Sequence, residues 1–146
     1  MKLRLISFGR DRSGLFEPAV QEYAGRVRKL VPFDLVELKA AESPEKEADL
    51  LRSKLQPREL LVVLDERGKN LSSPELAALL GRWRDEGRDV AFAIGGDEGH
   101  APSVREHATL VWSLSRAVLP HRLARVVVVE QLYRAFTILR GEPYHK

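Results

Sequence analysis

Glu130 and Arg134 stand four residues apart on an otherwise apolar segment, and Thr137 and Gly141 continue the same polar stripe toward the C-terminus. Spacing of this kind puts all of them on one face of a helix. A plain intrahelical ion pair, worth about 0.2–0.5 kcal/mol, explains Glu130 and Arg134. A stripe facing a pocket explains them as well, because the planar fork of arginine suits phosphate recognition. Arg122, Arg125, Arg140, His145 and Lys146 lie near in sequence and read together as a basic patch for an anionic polymer. Tyr144 and His145 add a stacking surface and a group that titrates near neutrality, unless they simply form a frayed end.

A second constellation follows three apolar runs: Leu64-Asp65-Glu66-Arg67-Gly68-Lys69, Ile94-Gly95-Gly96-Asp97-Glu98-Gly99, and Ser113-Leu114-Ser115 leading into Pro120-His121. Open parallel sheets bind ligands beyond the carboxyl ends of their strands, where these segments would fall. Gly95 and Gly96 serve either to make a tight turn or to let a ligand approach the backbone closely. The glycine spacing departs from G-x-G-x-x-G, and the chain has no G-x-x-x-x-G-K-[ST], so the usual nucleotide phosphate cradles are excluded. No G-x-S-x-G elbow supplies a serine nucleophile. The histidines at 100, 107, 121 and 145 form no i, i+4 pair and have no cysteine company, which argues against a metal site and for surface or loop histidines.

These residues need a scaffold, and the hydrophobic pattern supplies one. Strands are expected at Lys2 to Phe8, Phe33 to Leu38, Leu60 to Leu64 with an end at Asp65, Asp89 to Ile94, and Thr109 to Leu114. Between them, helical spacing runs from Leu15 to Val31, from Ser43 to Leu55 with a charged and exposed middle, and from Ser72 to Gly87. A short helix is expected near Ser103 to His107 and a long one from about Arg122 to Leu139. Alternating strands and helices without a linker or repeat imply one α/β domain over residues 1–146, with a mostly parallel sheet between helices. The last helix carries Val126 to Val129, Leu132, Tyr133, Phe136, Ile138 and Leu139, so it is apolar around most of its circumference. Such a helix must be covered on nearly all sides, by the sheet on one and by a second copy of the chain on the other.

Composition narrows the class. A chain of 146 residues, 44% of them hydrophobic, can build a full core without staples. It has no cysteine, and its opening Met1-Lys2-Leu3-Arg4-Leu5 alternates charged and apolar residues rather than forming the apolar block of a secretory signal, so a cytoplasmic location is expected. No apolar run approaches the ~20 residues of a membrane span. The net charge of +3 is mild, yet six of the 24 basic residues and only two of the 21 acidic ones fall in residues 112–146. The chain therefore has a basic C-terminal quarter.

Leu64-Asp65-Glu66-Arg67-Gly68-Lys69 with Ser72-Ser73, the loop Ile94-Gly95-Gly96-x-Glu98-Gly99, the segment Trp112-Ser113-Leu114-Ser115, and the ending Glu130-Gln131-Leu132-Tyr133-Arg134-Ala135-Phe136 to Pro143-Tyr144-His145 resemble the bacterial ribosomal RNA large subunit methyltransferase H family. The likeness extends over essentially the whole chain and keeps the motif order. It implies a SPOUT-type domain with a C-terminal deep trefoil knot, an exception to ordinary topology that periodicity does not reveal. It further implies a homodimer, S-adenosyl-L-methionine as cofactor and methyl donor, and methylation of N3 of a pseudouridine in the helix 69 loop of 23S rRNA on assembled ribosomes. Carried over by motif, the cofactor positions are Leu64, Gly96, Ser115, Arg116, Ala117, Val118, Leu119 and Pro120, with Gly95 beside them. One residue departs from the pattern: Asp97 stands where the family usually has proline, which leaves the loop less rigid and places a carboxylate near a cationic ligand.

Methyl transfer from a sulfonium is an in-line displacement that demands positioning more than a protein nucleophile. On this reading Arg134 orients the substrate, Tyr144 and His145 close over the target nucleotide, and His145 is the general-base candidate by its intrinsic pKa. Glu130 either takes that part or anchors Arg134. Because one subunit offers little basic surface, both protomers are expected to contribute, one tail reaching the cofactor of the other. Asp97 favours a competing reading, a catalytically silent ribosome-binding or assembly protein of the same fold.

Overall fold

The computed structural model describes residues 1–146. Its elements are β1 (Leu3–Phe8), α1 (Glu17–Arg28), β2 (Phe33–Leu38), α2 (Pro44–Lys54), β3 (Leu60–Asn70), α3 (Ser73–Asp85), β4 (Val90–Ile94), α4 (Pro102–His107), β5 (Leu110–Ser113) and α5 (His121–Leu139). The five strands form one sheet in the order β2-β1-β4-β3-β5, and every pairing between them is parallel.

Alternation along β4 shows how the sheet is covered on both faces. Val90, Phe92 and Ile94 point into the larger core, under α1, α3 and α5, while Ala91 and Ala93 point into a smaller one under α2 and α4. Ser72 caps α3 by accepting from Glu75 N, and the Glu75 side chain accepts in return from Ser72 N.

Three elements depart from the sequence reading. β3 continues past Asp65 to Asn70, because after a register shift between Leu64 and Lys69 its end pairs with β5 again. Gly68 permits this close approach: an added Cβ would lie 2.5 Å from Val111 O. α1 begins only at Glu17, since the Asp11 carboxylate accepts from Phe16 N and Glu17 N and takes the place of an earlier turn; Leu15 is left exposed. In α2 the charged middle is not all exposed, for Glu47 is buried beside Ala48 and Leu51.

α5 packs between α1 and α3 on one face of the sheet, burying Val128, Val129, Leu132, Ala135 and Phe136. Most of the cover that the sequence reading assigned to a second copy therefore comes from the chain itself. Val126, Tyr133 and Ile138 remain half-buried along its flank.

Candidate functional site

The carboxyl ends of β3, β4 and β5 open onto one cavity of about 620 Å³. Leu64, Gly95, Gly96, Ser115, Ala117, Val118, Leu119 and Pro120 all line it; Arg116, also assigned to the cofactor from sequence, does not. Three loops distant in sequence thus converge because parallel strands present their carboxyl ends on the same edge.

Of the two roles considered for the glycines, the structure shows the tight turn, and the close approach at Gly95 and Gly96 is by the chain's own atoms. Gly99 has φ +75° and its N–H donates to Gly96 O at 3.0 Å, closing a tight turn. At Gly95 and Gly96 the need is space: an added Cβ would lie 2.7 Å from the Gly99 carbonyl carbon and 2.9 Å from Glu47 Oε1, respectively. The third loop is held from β3 and from within. Asn70 Nδ2 donates to Ser113 O at 3.0 Å, Ser113 Oγ donates to Ser115 O at 2.8 Å, and Ala117 N donates to Ser115 Oγ at 3.0 Å.

Acidic groups stand on the cavity wall. Asp65 is buried, and burial opposes its charge, yet Arg67 N and Nε both donate to it and Arg105 approaches, so its pKa is held below the ordinary carboxylate range. Asp97 Oδ1 lies 3.1 Å from His121 Nδ1, at the first residue of α5. Burial and the neighbouring Arg122 push the His121 pKa down against the pull of Asp97 and Glu47. The ring is then neutral at pH 7; since the carboxylate can only accept, Nδ1 carries the proton and Nε2 keeps a lone pair. Nε2 is buried and has no hydrogen-bond partner.

The tail constellation forms a separate cluster. Arg134 donates through Nε to Glu130 Oε1 at 3.0 Å and through Nη1 to His145 Nδ1 at 3.1 Å. Tyr144 OH donates to Glu130 Oε1 at 3.1 Å, and Arg134 lies over the Tyr144 ring, 4.8 Å from its centroid. Partial burial and the Glu130 contact push the Tyr144 pKa up to about 12. Glu130 is thus the anchor of this cluster. Since Arg134 can only donate, His145 Nδ1 presents its lone pair, and the neutral ring carries its proton on Nε2.

None of Glu130, Arg134, Tyr144 and His145 lines the cavity. His121 at the start of α5 does, and Arg134 lies 13 residues further along the same helix, about 20 Å along its axis at 1.5 Å per residue. Arg134, Tyr144 and His145 are brought together with one another, and within one chain they are held apart from the positions expected to bind the cofactor.

Other assignments change. Arg125 leaves the expected basic patch: it is buried, with Nη1 2.5 Å from Glu17 and Nη2 3.3 Å from Glu37. Thr137 does not face a pocket; it is fully buried and its Oγ1 donates to Arg134 O at 2.6 Å. His100 is a buried loop residue whose Nε2 donates to Ala93 O at 3.1 Å, and burial lowers its pKa. No three metal-ligating side chains come together, and no helix is long and apolar enough to cross a membrane. Glu47 is the residue at the site's edge that the sequence reading passed over, because a glutamate in a strongly charged helix carries no periodic signal of burial.

A family model described as "Predicted SPOUT methyltransferase" matches residues 1–145. "Ribosomal RNA large subunit methyltransferase H" of Anaeromyxobacter sp. (strain Fw109-5) is 50% identical, with all of both chains covered. The protein of that name from Cereibacter sphaeroides (strain ATCC 17029 / ATH 2.4.9) is also 50% identical, covering 100% of this chain and 99% of its own. Among solved structures, a "Probable Methyltransferase from Bordetella pertussis Tohama I" superposes with a TM-score of 0.63 at 20% identity, covering 93% of this chain and 95% of the other, a likeness of fold. With a family match over residues 1–145 and relatives at half identity over the whole chain, the chain belongs to the SPOUT methyltransferase family, among the ribosomal RNA large subunit methyltransferase H proteins.

Proposed function

We propose that this protein transfers a methyl group from S-adenosyl-L-methionine to N3 of a pseudouridine in the helix 69 loop of 23S rRNA, acting in the cytoplasm on assembled ribosomes. The observation that carries this reading is the convergence of Leu64, Gly95, Gly96 and residues 115, 117–120 on one cavity in a chain of this family. The cavity suits the donor in size and in chemistry. Its volume falls within the ~300–1,000 Å³ typical of small-molecule sites. Leu64, Ile94, Trp112 and Leu119 offer apolar surface to an adenine, and Asp65, Glu66, Asp97 and Glu98 offer negative charge to a ligand bearing sulfonium and ammonium groups. When bound, the cofactor supplies an electrophilic methyl group.

The protein's own part is to orient the acceptor and manage its proton. Arg134 would turn its fork from His145 to the imide oxygen and favour the anionic base. That exchange would free Nδ1 of His145 to take the N3 proton, while Tyr144, a phenol throughout the neutral range, stacks on the target nucleotide. Because the Arg134 cluster and the cavity are separated within one chain, we assign the working unit to a homodimer in which the tail of one copy serves the cavity of the other. The C-terminal segment would carry the deep trefoil knot on this reading. No metal or membrane enters the scheme.

Mass spectrometry of 23S rRNA from cells with and without the gene tests this function; a helix 69 loop equally methylated in both would overturn it. Mixing a cofactor-cavity variant with an Arg134 variant tests the shared site, since hybrid dimers should recover part of the activity. A silent ribosome-binding protein remains the second reading because Asp97 leaves the glycine loop without the stiffening ring of the proline usual in the family. Calorimetric titration with S-adenosyl-L-methionine separates the two, for the silent protein gives no heat.

A further inference from the structure

A second recess of about 240 Å³ opens beside the cofactor cavity, between the carboxyl ends of β1 and β2, the start of α2 and the start of α5. The two spaces share Gly96, Asp97, Glu98, His121 and Arg122 as their common wall. With the sheet order β2-β1-β4-β3-β5, the recess lies where chain connections diverge to either side of β1 and β4, the position at which open parallel sheets take ligands.

Glu47 gives the recess its chemistry. It is only 9% exposed, and its Oε2 accepts from Ala41 N at 3.2 Å. No hydrogen bond reaches Oε1, which lies where a Gly96 Cβ would come within 2.9 Å of it. The missing side chain of Gly96 is what admits this carboxylate beside the glycine loop. Across the recess, Arg122 Nη2 lies 3.4 Å from the position of a Gly9 Cβ. A buried acceptor with an open lone pair and a guanidinium opposite match a small planar ring that offers an N–H on one edge and a carbonyl on another.

We infer that this recess is the acceptor-base subsite and that Glu47 selects pseudouridine by accepting its second ring N–H. The inference rests on the function proposed above. Pseudouridine carries two ring N–H groups, N1 and N3. The N3 edge must face the methyl donor, which leaves N1–H for Glu47. Uridine has one ring N–H, on the reacting edge, and turns a C–H toward Glu47, leaving the buried carboxylate without a donor. A site built for a hydrogen bond rejects the analogue lacking it much more strongly than it rejects a small change in apolar size. Arg122 on the opposite wall is placed to hold a ring carbonyl.

The test uses the full-length protein on two ribosome preparations, one with pseudouridine and one with uridine in the helix 69 loop, under single-turnover conditions. The wild type should favour pseudouridine by about 10- to 100-fold, the range expected for one hydrogen bond to a charged group. Glu47→Gln keeps an acceptor for Ala41 N and should narrow that ratio severalfold, mainly by slowing pseudouridine; Glu47→Ala should bring it near unity. Cofactor affinity by calorimetry should stay at the wild-type value in both, which also reports an intact fold. Ala40→Phe, which fills the recess from its other wall, should slow both substrates without weakening cofactor binding. An unchanged ratio in both Glu47 variants overturns the inference while leaving the methyltransferase intact. Weakened cofactor binding in Glu47→Gln overturns it also, by giving the recess to the cofactor. A wild type that binds no cofactor and methylates neither ribosome overturns the proposed function and the inference with it.

Discussion

Arg134 Nη1 donates to Nδ1 of His145 at 3.1 Å and so ties the last helix to the chain end, with Glu130 bracing the arginine from the other side. The contact sets the tautomer of His145 and holds the tail in one place. Lysine cannot reproduce it, because a single ammonium lacks the fork that serves Glu130 and His145 together. Arg134→Lys should lower single-turnover methylation by about 10- to 100-fold, the loss of one or two charge-assisted hydrogen bonds. The thermal midpoint should move little, and limited proteolysis should now release the C-terminal residues.

Tyr144 should stay a phenol well above pH 10 and ionise only near pH 12, because partial burial and the Glu130 carboxylate both disfavour its anion. Its folded pKa is raised above the ordinary value of 10.0, so its contribution to tail docking is complete below that pH and fades as the pH climbs toward 12. Ultraviolet titration of the phenols should show one late transition, which Tyr144→Phe removes.

His100 and His121 pull the other way. Burial lowers both pKa values from 6.5, so the folded protein binds fewer protons than the unfolded chain once the pH falls below that value. Stability is full above about pH 6.5 and declines as the pH falls toward the folded pKa values. Urea unfolding from pH 8 to pH 5 should show this slope, and replacing either His100 or His121 with Asn should flatten it.

Arg125 is a structural cation rather than part of the basic patch expected to meet RNA, because Glu17 and Glu37 hold it below α5. Arg125→Ala leaves two facing carboxylates and should cost roughly 2–3 kcal/mol in urea denaturation. Ribosome affinity of the protein that remains folded should be unchanged, whereas Arg140→Ala, at an exposed position, should weaken it in a salt-dependent manner.

Gly95 and Gly96 should respond differently to alanine. At Gly95 the new methyl meets the backbone of Gly99, which cannot yield without opening the turn, so Gly95→Ala should cost about 1–3 kcal/mol and abolish cofactor binding. At Gly96 it meets the end of the Glu47 side chain, which can move aside, so Gly96→Ala should remain folded. Thermal melts and calorimetry on the two variants check the contrast.

Much of this molecule is legible in the order of its residues, for reasons that are local. The apolar run at Leu60 to Leu64, the Ser72 to Glu75 capping box and the helical stripe from Val20 to Val27 each depend on neighbours within a few positions, and period and turn chemistry report such neighbours directly. The meeting of the three strand-end loops at one cavity was legible because the carboxyl edge of a parallel sheet is a consequence of alternating strands and helices. Tertiary structure decided the rest. Whether Arg125 faces RNA or two glutamates, whether Glu47 is solvated or buried, and how far β3 runs past Asp65 depend on residues far away in sequence. A charge has no periodic signature of burial, since burial is set by which distant side chains close over it. For the same reason the sequence could place Arg134, Tyr144 and His145 in one working end, and only the fold could put the length of α5 between them and the cavity.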